Sequence, residues 1–209
     1  MKHLISLKEQ TKNDLLEIIQ IASTLKNKKN GVVHEENKAN PCKNKKITLL
    51  FEKDSTRTIL SSWYAACALK AYPINLNAKH TNLKIANFKD EMEVILSFSD
   101  ILIYRSLDCK KVELAASLNI VPVIDGCSNK YNPLQALSDI LTMSEISGGL
   151  QNVKKVVWLG IENNVSNTLV IACAKLGIHI YIVSPLMDPN SVDVELNVML
   201  DSSTFVNRT

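Results

Sequence analysis

The sequence predicts an α/β fold, with parallel sheets flanked by helices, and three observations lead to it. Short apolar runs have the length and composition of buried strands. Between them, apolar residues recur at helical spacing, and the same alternation starts again after Gly148-Gly149. The predicted strands are 47–51, 72–76, 100–105, 120–124, 155–159 and 178–183. Strands that alternate with helices in this way form βαβ units.

The helices follow from the local spacing of apolar residues. Residues 15–25 repeat at i, i+3 and i+4, and Thr11 with Asp14 forms a predicted cap ahead of them. Segment 27–46 is rich in Lys and Asn, carries Gly and Pro, and is predicted to be a loop. Further helices are predicted at 55–70, 88–98, 110–118, 134–146 and 163–176. Trp63 lies in the apolar pattern of the first of these and is expected to pack.

A domain boundary is predicted at Gly148-Gly149, which separates the two series of elements. Residues 1–147 then form a complete first domain. Residues 150–209 form a second domain that is incomplete, because only two strands are predicted in it. The acidic residues of the tail, Asp193 among them, predict a solvated helix followed by a frayed end.

The composition narrows the class of protein. The chain has 209 residues, of which 46% are apolar and 22% charged, as in folded globular proteins. The net charge of +3 comes without a basic stripe interleaved with aromatic residues, which argues against a nucleic-acid partner. No apolar run reaches membrane-spanning length, so we expect no membrane association and a cytoplasmic location. A mitochondrial matrix protein whose transit peptide has been removed would look the same. The cysteines and histidines show no metal-ligand spacing, so no metal is expected.

Charged and hydroxyl residues follow the strand 47–51 directly. In parallel sheets, ligands bind where strands end and helices begin. Ser55, Thr56 and Thr58 bring hydroxyls to the start of the predicted helix, where backbone N–H groups attract anions, and Arg57 adds a planar fork suited to phosphate oxygens. This pattern predicts a phosphate site. The alternative is that Ser55 is an ordinary N-cap and Arg57 a solvated surface residue.

Two other strand ends carry similar groups. Arg105 closes the strand 100–105, and Asn132, Pro133 and Gln135 open the helix after the strand 120–124. Taken alone, Arg105 is explained as a surface charge. Asn132-Pro133, taken alone, is explained as a capped helix start with Pro at its first position. Together, two arginines and several amide or hydroxyl donors at three strand ends predict a site for a small anionic substrate.

These motifs resemble those of the aspartate/ornithine carbamoyltransferase family, and of its ornithine branch in particular. "FEKDSTRT" at 51–58 is similar to the carbamoyl phosphate loop F-E-K-x-S-T-R-T, and "SDILIYR" at 99–105 to the strand whose Arg also holds that ligand. "VPVIDGCSNKYNPLQALSD" at 121–139 resembles V-P-V-I-N-G-L-(S/T)-D-x-x-H-P-x-Q-x-L-x-D. "VVWLGIENN" at 156–164 is similar to the opening of the ornithine-binding domain, W-x-G-D-G-N-N. The resemblance extends from the first helix to about Pro185.

The resemblance implies that the carbamoyl group of carbamoyl phosphate is transferred to the amine of ornithine or a related amine, giving citrulline and phosphate without a cofactor. It implies a carbamoyl-phosphate-binding first domain, a Rossmann-like amino-acid-binding second domain, and a homo-oligomer, by resemblance a trimer. Carbamoyl phosphate would be bound by Ser55, Thr56, Arg57, Thr58, Arg105, Asn132 and Gln135. Of these, Arg57, Arg105 and Asn132 would be catalytic. Asn163 and Asn164 would contact the amino acid.

Departures from the family pattern leave two interpretations open. Asn132 stands where the family has a His that donates to the carbamoyl oxygen, and an amide can donate but carries no charge. Ile161 replaces an Asp, Glu93 stands where an Arg is expected, and the chain ends before the family's D-x-x-x-S-M-G and H-C-L-P motifs. The chain is predicted to be an ornithine carbamoyltransferase-like enzyme or, alternatively, a catalytically inactive homologue that acts as a binding or oligomerisation partner. A nucleotide-binding turn at 160–164 is a weaker third interpretation, because it lacks the second and third glycines.

Overall fold

The computed structural model describes residues 1–26, 40–201 and 203–208. The helices are α1 (Lys12–Lys26), α2 (Thr56–Ala68), α3 (Phe88–Ser97), α4 (Cys109–Ser117), α5 (Pro133–Ile146), α6 (Asn164–Leu176) and α7 (Val194–Asp201). The strands are β1 (Lys46–Phe51), β2 (Tyr72–Asn77), β3 (Ile101–Arg105), β4 (Val123–Asp125), β5 (Lys155–Leu159), β6 (His179–Val183) and β7 (Val206–Arg208). The predicted α/β class is therefore confirmed. Most of the predicted loop 27–46 lies outside the described residues.

The chain divides into two compact units. The first unit comprises Met1–Ile5 and Leu25–Ser128, and the second comprises Ser6–Thr24 and Asn129–Thr209. Each unit is built on one parallel sheet, with the strand order β2-β1-β3-β4 in the first unit and β5-β6-β7 in the second. None of the helices in the described part of the chain is long and apolar enough to cross a membrane.

The sheet of the first unit has a buried apolar core. Leu49, Leu50 and Leu102 of its two central strands are fully buried. Thr48 is a buried polar residue of β1, and its hydroxyl is satisfied by the Ser99 hydroxyl at 2.7 Å. Leu4 adds a parallel bridge beside β4, so the N-terminus extends this sheet by one short segment.

Helix α2 buries a different face from the one expected. Its buried residues are the small Ser62 and Ala66. Trp63, predicted to pack, is 48% exposed, so that prediction is wrong. Close packing of α2 on the sheet favours small side chains, which leaves the larger apolar residues of the helix pointing to solvent.

The second unit is organised around α6. The apolar residues in the middle of this helix are buried, and the helix ends at Gly177, whose φ of 75° is the left-handed conformation that glycine adopts without strain. The predicted frayed end is wrong, because β7 pairs with β6 as a third parallel strand. The predicted helix in the tail is present as α7, but Asp193 immediately before it is only 5% exposed.

The two compact units divide the chain at a different place from Gly148-Gly149. Helix α5 packs against α6, so residues from Asn129 onward belong with the second unit. The glycine pair instead forms the turn after α5, with φ values of 69° and 135°. The division of function between residues 1–147 and 150–209 remains a prediction.

Candidate functional site

Helix α2 begins at the end of β1 with the predicted hydroxyl cluster. Ser55 is the N-cap, and its hydroxyl accepts a hydrogen bond from the Thr58 backbone N–H at 3.4 Å and donates one to the Thr58 hydroxyl at 3.0 Å. Thr56 and Arg57 are exposed, whereas Ser55 and Thr58 are half-buried. Ser55 is therefore an N-cap, as the alternative interpretation predicted. Arg57 is nevertheless exposed in the first turn of α2, where the helix dipole favours an anion.

Arg105 lies at the same edge of the sheet. Residues Phe51 and Arg105 are paired in the register of β1 and β3, and the Glu52 backbone N–H donates to the Arg105 carbonyl at 2.9 Å. The Arg105 Nη1 donates to the Gly126 carbonyl at 3.2 Å. Its Nε is buried and has no hydrogen-bond partner among the described residues. A buried donor without a partner is costly, and a bound anion is one way to satisfy it.

Glu52, which was not among the predicted site residues, accepts hydrogen bonds from residues on both sides of Arg105. Its carboxylate accepts hydrogen bonds from the Tyr104 hydroxyl, the Ser106 hydroxyl and the Leu107 backbone N–H, each at 2.9 Å. It also accepts one from the Lys111 ammonium at 2.8 Å. Burial acts to raise the pKa of Glu52, but these hydrogen bonds outweigh burial and hold the pKa below its usual value. Glu52 thus remains a carboxylate that fixes the residues on both sides of Arg105.

Asp125, the last residue of β4, is a second acidic residue that was not among the predicted site residues. Its carboxylate accepts hydrogen bonds from the Cys127 backbone N–H at 2.8 Å and from the Ser128 hydroxyl at 2.6 Å. Burial nevertheless raises the pKa of Asp125 to about 7, although these bonds and the Arg105 charge act in the opposite direction. The resemblance offered a signal for this residue, since the family pattern has an Asn at this position.

Asn132 and Gln135 lie at the start of α5 in the second unit. Asn132 is the N-cap, and its side-chain oxygen accepts from the Gln135 backbone N–H at 3.2 Å. Its own backbone N–H donates to the Thr168 hydroxyl at 2.8 Å, which ties this position to α6. The exposed Gln135 side chain donates to Asp139 at 2.8 Å. The predicted cap is therefore present, and Pro133 occupies the first helical turn as expected.

Asn163 and Asn164 lie at the start of α6. The Asn163 side chain accepts from the backbone N–H groups of Val165 and Ser166, and the Ser166 hydroxyl accepts from the Asn163 backbone N–H, so the two residues form a capping box. The Asn164 carbonyl accepts from Thr168 at 2.8 Å. Both asparagines are half-buried. In the structure, Asn163 caps α6 and Asn164 is its first residue.

The predicted site residues are thus distributed between the two units. The cluster 55–58 and Arg105 share one edge of the first sheet, whereas Asn132, Gln135 and the Asn163-Asn164 pair lie at two helix starts of the second unit. Among the described residues, no group of three or more His, Cys, Asp or Glu side chains is arranged to hold a metal ion.

Comparison with known proteins shows which family the sequence resembles. The model of the carbamoyl-phosphate-binding domain of aspartate/ornithine carbamoyltransferases matches residues 2–145. The ornithine carbamoyltransferase of Bacillus subtilis is 36% identical over 186 residues, which are 88% of this chain and 55% of that protein. That of Archaeoglobus fulgidus is 33% identical over 193 residues, which are 91% of this chain and 61% of that protein.

Solved structures of ornithine carbamoyltransferases are also similar to this chain. The ornithine carbamoyltransferase from Pyrococcus furiosus matches with a TM-score of 0.83 and 29% identity, over 99% of this chain and 66% of that one. The chain spans less than two thirds of the length of the two curated relatives. Because the matched domain covers more than half of the sequence and includes the segment 51–58, which is similar to F-E-K-x-S-T-R-T, the chain belongs to the aspartate/ornithine carbamoyltransferase family.

Proposed function

We propose that this chain binds carbamoyl phosphate at the edge of its first sheet and takes part in carbamoyl transfer to ornithine, giving citrulline and phosphate. The observation that carries the proposal is the buried Arg105 Nε, which has no partner among the described residues and lies on the strand next to the one that leads into α2. The relatives, which are ornithine carbamoyltransferases by name, support the choice of ligand.

The chemistry requires little beyond positioning and charge stabilisation. The neutral amine of ornithine attacks the carbamoyl carbon, a C–N bond forms, and the bond from that carbon to the phosphate oxygen breaks. One proton of the attacking amine is transferred to the departing phosphate, so the products are neutral-amide citrulline and hydrogen phosphate. Arg57 and Arg105 would neutralise the departing phosphate, and Asn132 would donate its amide N–H to the carbamoyl oxygen. Gln135 would hold the carbamoyl nitrogen. Asn163 and Asn164 would orient the amino acid by hydrogen bonds.

Calorimetric titration with carbamoyl phosphate tests the first step. We expect saturable binding by the 209-residue chain, weakened about tenfold or more in Arg57→Ala, because a charge-assisted hydrogen bond to phosphate is lost. Lys89→Ala is the matched control, since it removes one exposed positive charge on α3, outside the predicted site. Equal affinity in all three proteins, or no binding at millimolar ligand, would contradict the proposal. Citrulline formation by the same preparation is the second readout.

We also propose that the chain self-associates, which both interpretations of the sequence allow, and an exposed apolar stripe supports this. Leu60, Trp63 and Tyr64 are 61%, 48% and 54% exposed, and Cys67 is exposed as well. These positions follow the i, i+3, i+4, i+7 spacing, so they form one apolar stripe along α2. Exposed apolar stripes commonly mark interfaces between proteins. We propose that the stripe is covered by other copies of this chain in a homo-oligomer, a trimer by family resemblance.

A charged substitution in the stripe tests self-association. We expect Trp63→Glu to shift the mass measured by light scattering from an oligomer to the 23.3 kDa monomer, because an isolated carboxylate is costly to bury in an apolar interface. Phe98→Glu is the control, since it changes an aromatic residue that is 67% exposed outside the stripe. A wild-type chain that is monomeric at all concentrations, or an oligomer that survives Trp63→Glu, would count against this surface.

A further inference from the structure

Asp125 is an acidic group beside Arg105 that has no role in the proposed mechanism, and it stands where the family pattern has an Asn. Its side chain is fully buried at the last position of β4, directly opposite Tyr104 in the β3 register. The carboxylate accepts its hydrogen bonds from its own turn, from Cys127 and Ser128. These hydrogen bonds favour the ionised carboxylate, but burial outweighs them, so Asp125 is more easily protonated than a carboxyl group in water.

Asp125 is joined to Arg105 through Gly126. The Gly126 carbonyl accepts the hydrogen bond from Arg105, and the Gly126 backbone N–H donates to the Tyr104 carbonyl at 2.9 Å. A Cβ atom at position 126 would lie 3.4 Å from the Arg105 Cβ and backbone nitrogen, and 3.2 Å from the Ile103 side chain. The turn therefore packs closely against Arg105, and glycine at 126 permits this approach.

The groups that face Asp125 come from three segments. Its own turn supplies Cys127 and Ser128, and β3 supplies the Arg105 cation and the buried Tyr104. The N-terminal segment supplies a backbone contact, since the Asp125 N–H donates to the Leu4 carbonyl. His3 lies on the same segment and accepts a hydrogen bond from the Val123 N–H at 3.2 Å. Arg105 is the cation whose charge acts on Asp125.

We propose that Asp125 is a built-in counter-charge to Arg105 that determines how tightly the site holds an anion. When Asp125 is ionised, it offsets part of the positive charge available to the ligand. An anion at Arg105 disfavours that ionised form, so binding is accompanied by uptake of a proton on Asp125. The affinity for an anion of fixed charge therefore falls as the pH rises through neutrality. The proposal rests on the anion site proposed above.

Calorimetric titration with inorganic sulfate tests this, because sulfate keeps its charge between pH 6 and pH 8.5. We expect the wild-type affinity to fall about fivefold over this range. At pH 7, we expect heats that depend on the ionisation enthalpy of the buffer, which is the signature of proton uptake. Asp125→Asn keeps the shape of the side chain and should bind more tightly at pH 8.5, with no proton uptake. Circular dichroism checks that this variant is folded.

Asp100→Asn is the matched control. It makes the same change in net charge, but Asp100 precedes β3 at the opposite edge of the sheet, where it accepts from the Lys46 backbone N–H at 2.8 Å. It should behave like the wild type. Proton uptake that persists in Asp125→Asn, or its absence in the wild type, would overturn the inference while leaving the proposed function standing. Failure of the wild type to bind sulfate would also overturn it, and carbamoyl phosphate binding would still decide the function separately.

Discussion

Glu52→Ala should destabilise the first unit by about 3 kcal/mol, because removing the carboxylate leaves the buried Tyr104 and Ser106 hydroxyls without an acceptor. The Glu52 side chain is only 12% exposed, and the variant leaves four donors without their acceptor. The Tyr104 and Ser106 hydroxyls are both buried, so water cannot easily replace the carboxylate. We also expect weaker anion binding, since the residues on both sides of Arg105 lose their anchor.

Urea unfolding monitored by tryptophan fluorescence measures this effect. The chain has two tryptophans, so Trp158→Phe leaves Trp63 as the reporter of the first unit. Glu91→Ala is the control, because Glu91 is half-buried like Glu52 but its carboxylate accepts one hydrogen bond, from the Asn82 backbone N–H at 3.1 Å. Little change is expected in the control. If Glu52→Ala unfolded at the same urea concentration as Glu91→Ala, the network would not be a stabilising element.

The pH dependence of the stability difference between the wild type and Glu52→Ala gives a second test of the Glu52 network. The pKa of Glu52 is lower in the folded chain than its ordinary value, so its contribution is complete above the ordinary glutamate pKa of about 4.3. It is lost as the pH falls through the lower folded value. The stability difference between wild type and Glu52→Ala should therefore be constant near neutrality and shrink below about pH 4.

The elements of the fold were predictable because their signals are local. Strand β1 and helix α2 follow from an apolar run and a cap within a dozen residues, and the observed ends of β1 and β3 lie within a residue of the predicted ones. The phosphate-loop motif likewise occupies a single short segment, 51–58. Local periodicity and motif spacing are what a single sequence records directly.

The features that were missed depend on pairs of residues far apart in the chain. Glu52 contacts residues 52 to 59 positions away, so nothing near it in the sequence shows that its carboxylate is satisfied. The apolar spacing around Trp63 is that of a core face, and only the sheet packing shows that Ser62 and Ala66 are the buried residues. Periodicity identifies an apolar stripe on a helix but not which surface covers it.

Asp193 is a second residue whose environment depends on residues far away in the sequence. Its carboxylate, predicted to be solvated, accepts hydrogen bonds from the Tyr131 hydroxyl and from Lys8, whose ammonium lies 3.1 Å away. Burial acts to raise the pKa of Asp193, but the hydrogen bonds from Tyr131 and Lys8 outweigh burial and hold the pKa below its usual value. Tyr131 is also buried, and the Lys8 ammonium lies 5.3 Å from its ring centroid. The three side chains form one cluster within the second unit.

We expect Asp193→Ala to destabilise the second unit by about 3 kcal/mol, because the Tyr131 hydroxyl stays buried and Lys8 loses its buried counter-charge. Fluorescence of Trp158 in a Trp63→Phe background reports the unfolding of this unit in urea. Glu195→Ala is a sharp control, because Glu195 pairs with the same lysine at 3.3 Å but is 89% exposed, and exposed pairs contribute little. Equal losses in the two variants would mean that burial does not determine the strength of this cluster. A much larger loss in Asp193→Ala would identify Asp193 as the residue that holds Tyr131 and Lys8 together within the second unit.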